Sequence, residues 1–309
     1  MTLGPSRPSP AEPEPPGPEL AGAPGADGAH RWRALRVFAE NRLALVSAIF
    51  LIAVAAFCYL GPLLHHTDQI HTNLGTVNAP PGTQGHLLGT DDQGYDELGR
   101  LMIGGQTSLE VGVGAALLAT AAGAVIGAFS GFFGGWLDGI VMRCVDGLLA
   151  IPTVFLLLLL AAIVTPTKLS LIVIIALISW LVTARLVRGE ALTLRTRDFV
   201  SAARVMGSST PRTVLRHIVP NSLSVIVVNA TFQVADAILV LATLSFLGLG
   251  LPAPQTDLGG MLNNGMTYVY NGTWWVIWPA GVLIIAIVVA FNFIGDGLRD
   301  AFEVRLQRR

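Results

Sequence analysis

Six stretches of this chain carry almost nothing that water would solvate: Leu43–Leu64, Val111–Phe133, Gly147–Val164, Leu169–Ala184, Ser222–Leu251 and Trp274–Ile294. A helix needs about 20 apolar residues to cross the hydrocarbon core of a bilayer. In hydrocarbon a spanning segment must also satisfy its own backbone, which leaves helices or a closed barrel. The lengths predict an all-α membrane protein with six transmembrane helices. The first two segments carry no charge. The third has Pro152 near its start, and the fourth is short enough that it should borrow residues through Val187. The fifth is too long for one straight span, so its end should leave the bilayer. Trp274, Trp275 and Trp278 at one end of the sixth read as an interfacial anchor. At 52% hydrophobic and 13% charged, the whole chain is too apolar for a soluble domain of its length.

The basic residues orient these spans. With both termini inside, 17 of the 19 fall on the cytoplasmic side, and only Arg100 and Lys168 lie outside. That asymmetry selects a multi-pass topology with cytoplasmic termini. Residues 1–30 are rich in proline and glycine and poor in core-forming residues, which predicts a disordered cytoplasmic tail. They contain no apolar run of the kind a secretory signal needs. The polar loop from His65 to about Gly105 then lies outside. It holds four histidines and five acidic residues at spacings that match no standard metal pattern, and is expected to be solvated and to close over the membrane portion. The boundaries expected from this reading are 1–30 for the tail, 31–105 for the first span and outer loop, 106–300 for a five-helix membrane domain, and 301–309 for a basic tail.

Within the spans, Gly123, Gly127 and Gly131 recur every four residues, a stripe that lets two helices approach closely in lipid. Asn229, Gln233 and Asp236 share one face of the fifth span. Polar groups at that depth must face protein or a water-filled cavity, so two readings stand. They line a solute path, or they bond neighbouring helices. Arg143 and Asp146 lie one turn apart, the spacing of a local ion pair.

The longest polar interruption of the C-terminal two-thirds runs from Arg197 to Asn221. Phe199, Ala202, Ala203 and Met206 have the spacing of one helical face. Asp198 could cap the start, and Gly207 stands where a left-handed residue would end the helix. Thr210 then reads as the N-cap and Pro211 as the first position of a second short helix that Pro220 closes. The topology makes this a folded, basic, partly apolar cytoplasmic loop, which suggests a docking surface.

Some chemistries are excluded. The two cysteines, Cys58 and Cys144, lie in or beside apolar segments and indicate neither disulfides nor a metal pattern. The single lysine, Lys168, is followed by leucine, so the chain has no P-loop, and any ATP that drives it must bind elsewhere. No nucleophile elbow, metalloprotease motif or pair of catalytic carboxylates is apparent, and the reading is not that of an enzyme.

With these residues in view, Ser201-Ala202-Ala203, Gly207 and His217-Ile218-Val219-Pro220 resemble the EAA loop of type I ABC-importer permeases, whose pattern is Glu-Ala-Ala, three residues, Gly, nine residues, Ile-x-Leu-Pro. Both spacings match. Ser201, His217 and Val219 replace the usual Glu, Ile and Leu. Leu88-Gly89-Thr90-Asp91 with Gly94, Asp96 and Arg100, then Asp146 with Ala150-Ile151-Pro152, Leu244–Gly250, Trp274-Trp275 and Gly295–Asp300 are similar to segments of the C-type membrane subunit of dipeptide and oligopeptide permeases. Tyr95 and Leu241 depart from that family's usual basic residue and glutamate.

The resemblance covers about residues 31–306. It implies the MetI-like fold of type I importer permeases with cytoplasmic coupling helices, in the bacterial inner membrane. It implies a homologous permease partner, two ABC ATPase subunits that carry ATP and Mg, and an extracytoplasmic substrate-binding protein, with no cofactor on this chain and no nucleic acid. Phe199, Ser201, Ala202, Ala203, Arg204, Met206 and Gly207 would couple to the ATPase, and Asn229, Gln233 and Asp236 are candidates for the path. A sister permease for nickel or another small solute, and an ion-coupled secondary transporter using Asp236, are the alternatives.

Overall fold

The computed structural model describes residues 38, 40–83 and 85–306. The expected tail at 1–30 and the last three residues lie outside that range. Among the described residues, ten α-helices of four residues or more organise the chain: α1 (Arg42–Leu64), α2 (Glu97–Phe133), α3 (Gly135–Leu149), α4 (Thr153–Ile163), α5 (Lys168–Leu194), α6 (Asp198–Val205), α7 (Thr210–Thr213), α8 (Leu223–Leu244), α9 (Leu258–Met266) and α10 (Trp278–Leu306). Among the described residues, five stretches are long and apolar enough to cross a membrane: α1, α2, α5, α8 continued to Leu249, and α10 preceded by the turn at Trp274. The bent pair α3–α4 supplies a sixth if taken as one span.

The bundle is built around α2 and α5, which pack along their length. The glycine stripe does what its spacing predicts. A β-carbon at Gly123 would strike Thr183 and the Trp180 carbonyl, one at Gly127 the Ala184 backbone, and one at Gly131 the Arg188 carbonyl. Only hydrogen leaves room for this approach. One buried cluster joins Val111, Ala115, Leu157, Leu171, Ile175 and Leu241, and a second joins Val54, Leu101, Ile238, Leu258 and Ile287 across α1, α2, α8, α9 and α10.

Two boundaries differ from expectation and a third agrees with it. The second span begins at Glu97, 14 residues before the apolar run, because Asp96 caps it through Oδ2 to the Gly99 amide at 2.8 Å. Its first turns bury Glu97, Arg100 and Ser108 under the outer loop, so their polarity hid the helix. The third segment is no straight rod from Gly147. The chain breaks at Ile151-Pro152 and turns by 86° between α3 and α4, as a proline that cannot continue a helix dictates. The fifth span does end early, as its length required. A π-helical turn at Ser245–Leu249 contains Gly248 at φ +84°, and the chain leaves the helix there. Nothing in the apolar pattern announced α9. Its N-cap, Asp257, receives the Gly259 and Gly260 amides at 3.0 Å each.

Candidate functional site

The polar interruption between α5 and α8 folds as two helical pieces joined by a tight turn. Helix α6 ends in a paired closure: the Gly207 amide donates to the Arg204 carbonyl and the Ser208 amide to the Ala203 carbonyl, both at 3.0 Å. Gly207 sits at φ +81°, the left-handed residue this closure demands. The details around it shift. Asp198 is the first helical residue and makes no cap bond, Arg197 holding the N-cap position. Ser209, not Thr210, precedes α7. Pro220 does not close the second helix. A π turn at Val214–Ile218 absorbs the missing donor, Pro220 stands in the first turn of Val219–Asn221, and the chain runs on into α8.

Of the four residues read as one helical face, Phe199, Ala202, Ala203 and Met206, only Ala203 is turned inward. Val200 and Ala203 are buried, and Val200 joins Phe132 of α2, Val187 and Ala191 of α5, and Val214 and Ile218 of the π turn. The i, i+3 stripe that begins at Val200 has these partners; the stripe that begins at Phe199 does not. Phe199, Ala202 and Met206 therefore point outward together with Val205, which sequence reasoning passed over. Val205 is 89% exposed and Met206 80%. The Arg204 guanidinium lies 4.5 Å from the Phe132 ring centroid, tying the helix to its seat. Ser201 is exposed.

Nearby, Asp138 takes Arg188 through two bonds of 2.5 Å and Ser130 at 2.6 Å. Asp146 pairs with Arg185 of α5 rather than with Arg143, so the expected local pair is replaced by one that joins two helices.

In mid-bundle, Asn229 and Gln233 of the fifth-span face bond a neighbouring helix and also line a cavity. Asn229 donates to Thr183 Oγ1 at 2.8 Å, Thr183 to Gln233 Oε1 at 3.4 Å, and Gln233 to the Ser179 carbonyl at 3.3 Å. These bonds join α8 to α5. Their partners, Ser179 and Thr183, were legible as an i, i+4 polar pair within the fourth segment. Asp236 is exposed and shares with Asn229 and Gln233 a cavity of about 320 Å³ that Leu149, Thr153 and Phe232 help to line.

The loop between α1 and α2 is exposed along much of its length but has a buried polar centre. Thr90, Asp91 and Asp96 are buried in it. Asp91 accepts the Gln93 and Tyr95 amides at 2.9 and 2.8 Å. Asp96 holds His65 at 3.1 Å and His86 at 2.8 Å. Arg100 lies 3.7 Å from the Tyr95 ring centroid, 3.6 Å from Asp91 Oδ2, and donates to the Pro254 carbonyl at 2.7 Å. Trp275 donates to the Thr90 carbonyl at 3.2 Å. Burial pushes the Asp91 and Asp257 carboxyls up, while the amides of His71 and Ile70 hold Asp68 down at about 2. Among the described residues, no three His, Cys, Asp or Glu side chains converge to hold a metal ion.

Residues 123–308 match the family described as binding-protein-dependent transport system inner membrane component, and residues 31–81 match the N-terminal TM domain of oligopeptide transport permease C. The chain is 42% identical over 277 residues to a putative peptide permease protein of Brucella suis, covering 89% of this chain and 91% of that one. It is 41% identical over 279 residues to the oligopeptide transport system permease protein OppC of Escherichia coli K12, covering 90% and 92%. Against OppC of Bacillus subtilis the identity is 36% over 278 residues, covering 90% of each.

Proposed function

This chain belongs to the binding-protein-dependent transport system inner membrane components, and we propose that it is the permease subunit of an ATP-driven importer for di- and oligopeptides. It is a membrane subunit and not the ATP-hydrolysing one, consistent with the missing P-loop. The observation that carries the coupling role is the seated yet open helix α6. Val200 and Ala203 fix it to the bundle, while Phe199, Val205 and Met206 offer an apolar face to a groove on another protein. A rigid helix in a groove transmits rigid-body motion. Two ATPase subunits dock there and under the homologous permease partner, and ATP binding draws the two loops together. Asn229, Gln233 and Asp236 border the path between the two permeases, and an extracytoplasmic binding protein delivers peptide to it. The termini lie in the cytoplasm, as the arginines indicate.

Reconstitution tests this. Labelled-peptide uptake should require co-expressed ATPases, survive an uncoupler while ATP is maintained, and persist in Asp236→Asn. Uptake by this chain alone, collapsed by the uncoupler and lost in Asp236→Asn, would replace this reading with ion-coupled transport. Uptake of nickel without competition by peptides would keep the mechanism and change the solute.

A further inference from the structure

A second cavity, of about 510 Å³, lies between α1 and α2 and reaches α10. Leu51, Leu109, Val113 and Phe291 form apolar walls, and Tyr59 and Glu110 are the only polar side chains that line it. Tyr59 and Leu51 are eight residues apart on one helix, so the groove runs about 12 Å along α1. Leu51 stands near the middle of α1 (Arg42–Leu64) and Tyr59 toward its far end. With the amino terminus inside, the groove therefore occupies the outer half of a hydrocarbon core about 30 Å thick.

The polar end carries both signs of charge. Glu110 Oε2 receives Lys168 Nζ at 2.7 Å, and Glu110 Oε1 receives the Tyr59 hydroxyl at 3.4 Å. The Lys168 side chain is 43% exposed and that of Glu110 38%, so both keep capacity for a further partner. Lys168 is the only lysine in the chain, and it opens α5 beside this mouth. An apolar groove half a membrane deep, ending in an exposed cation, an exposed carboxylate and a hydroxyl, has the complementarity of one amphiphile. We propose that it holds a zwitterionic aminophospholipid of the outer leaflet, acyl chain between α1 and α2, phosphate on Lys168 and Tyr59, ammonium on Glu110. A purely anionic headgroup would satisfy Lys168 but face the Glu110 carboxylate. The leaflet rests on the orientation proposed above; the headgroup and groove do not.

The assembled transporter, in nanodiscs, is tested with photoactivatable phosphatidylethanolamine and phosphatidylglycerol, each carrying the reactive group on an acyl chain. Phosphatidylethanolamine should label peptides containing Leu51 or Phe291, with at least about fivefold more label than phosphatidylglycerol. That label should fall by a similar factor in Ala55→Trp, which fills the groove, and in Lys168→Met. Val113→Phe closes the groove from α2 and replaces Ala55→Trp if that variant does not assemble. Equal labelling by the two lipids, or full labelling in an assembled groove-filling variant, overturns the proposal. So does a benzoylphenylalanine at position 55 that crosslinks to the partner permease instead of lipid. Labelling only by probe confined to the inner leaflet refutes the orientation while leaving the lipid site intact.

Discussion

The two large loops of this molecule solve opposite problems. The loop between α1 and α2 buries polar groups and satisfies several of them from within the chain: Asp91 on its own turn, Asp96 on two histidines, Arg100 on Pro254, Trp275 on Thr90. The loop between α5 and α8 does the reverse, leaving apolar Phe199, Val205 and Met206 in solvent. Exposed apolar surface on an ordered helix is costly to keep and marks an interaction site. One loop is closed within a single chain, and the other is complementary to something else. Damage to the first should show as lost stability, and damage to the second as lost uptake with stability kept.

The strongest challenge to that division is Arg100→Met. It leaves Asp91 buried without its cation, and breaking a buried pair costs about 3–5 kcal/mol. The thermal midpoint of the purified chain should drop accordingly, and an unchanged midpoint would mean that the α1–α2 loop is held by other contacts. Next comes Gly207→Val. A β-carbon there meets nothing within 4 Å, so only the left-handed backbone is penalised, by about 1–2 kcal/mol and more for a branched side chain. Peptide uptake should fall at least about tenfold while membrane insertion and thermal midpoint stay near wild type. Gly207→Asn, which tolerates this conformation, should restore most of it. Normal uptake by the valine variant would remove the coupling assignment.

A smaller effect concerns pH. The folded-state Asp91 carboxyl lies above its usual 3.8 because of burial. The native chain thus holds that proton more tightly than the unfolded one, and its stabilising contribution is present at low pH and fades as pH rises through the raised value. Asp257 acts in the same direction. Asp91→Asn keeps the acceptor for the Gln93 and Tyr95 amides, so its midpoint should vary less between pH 4 and 7 than that of wild type. An equal slope in both proteins would assign the dependence elsewhere. The least effect is expected in mid-bundle. Gln233→Leu gives up two bonds between α8 and α5, each worth about 0.6 kcal/mol within a membrane. A loss of several kcal/mol would show that the Asn229–Thr183–Gln233 chain acts as one unit.

Much of this was legible before any coordinates, and the rest was hidden for identifiable reasons. Apolar run lengths located the spans because hydrocarbon enforces them, and the glycines at 123, 127 and 131 announced a contact that only their size permits. Gly207 was readable because one backbone conformation explains it. The start of α2 was hidden because its polar first turns are buried by tertiary contact, and periodicity within one element does not report that. On α6 the spacing grouped Phe199, Ala202, Ala203 and Met206 without saying which way they face; Phe199 and Val200 are equally apolar, and only the position of Phe132 and Ile218 turns Val200 inward. The bonds that Asn229 and Gln233 make depended on Ser179 and Thr183, about fifty residues away.

Gly207 and Gly248 both adopt left-handed backbone, at φ +81° and +84°. Residues 208–247 between them contain no glycine. That interval is helical almost throughout, its proline and π turns built into the winding rather than interrupting it. It is mechanically a crank with a bearing at each end. One bearing sits beside the exposed face of α6 and the other where the fifth span gives way to α9, with Asn229, Gln233 and Asp236 on the shaft. If α6 couples to another subunit as proposed, torque applied at its end would reach Asn229, Gln233 and Asp236 through a segment that is helical almost throughout.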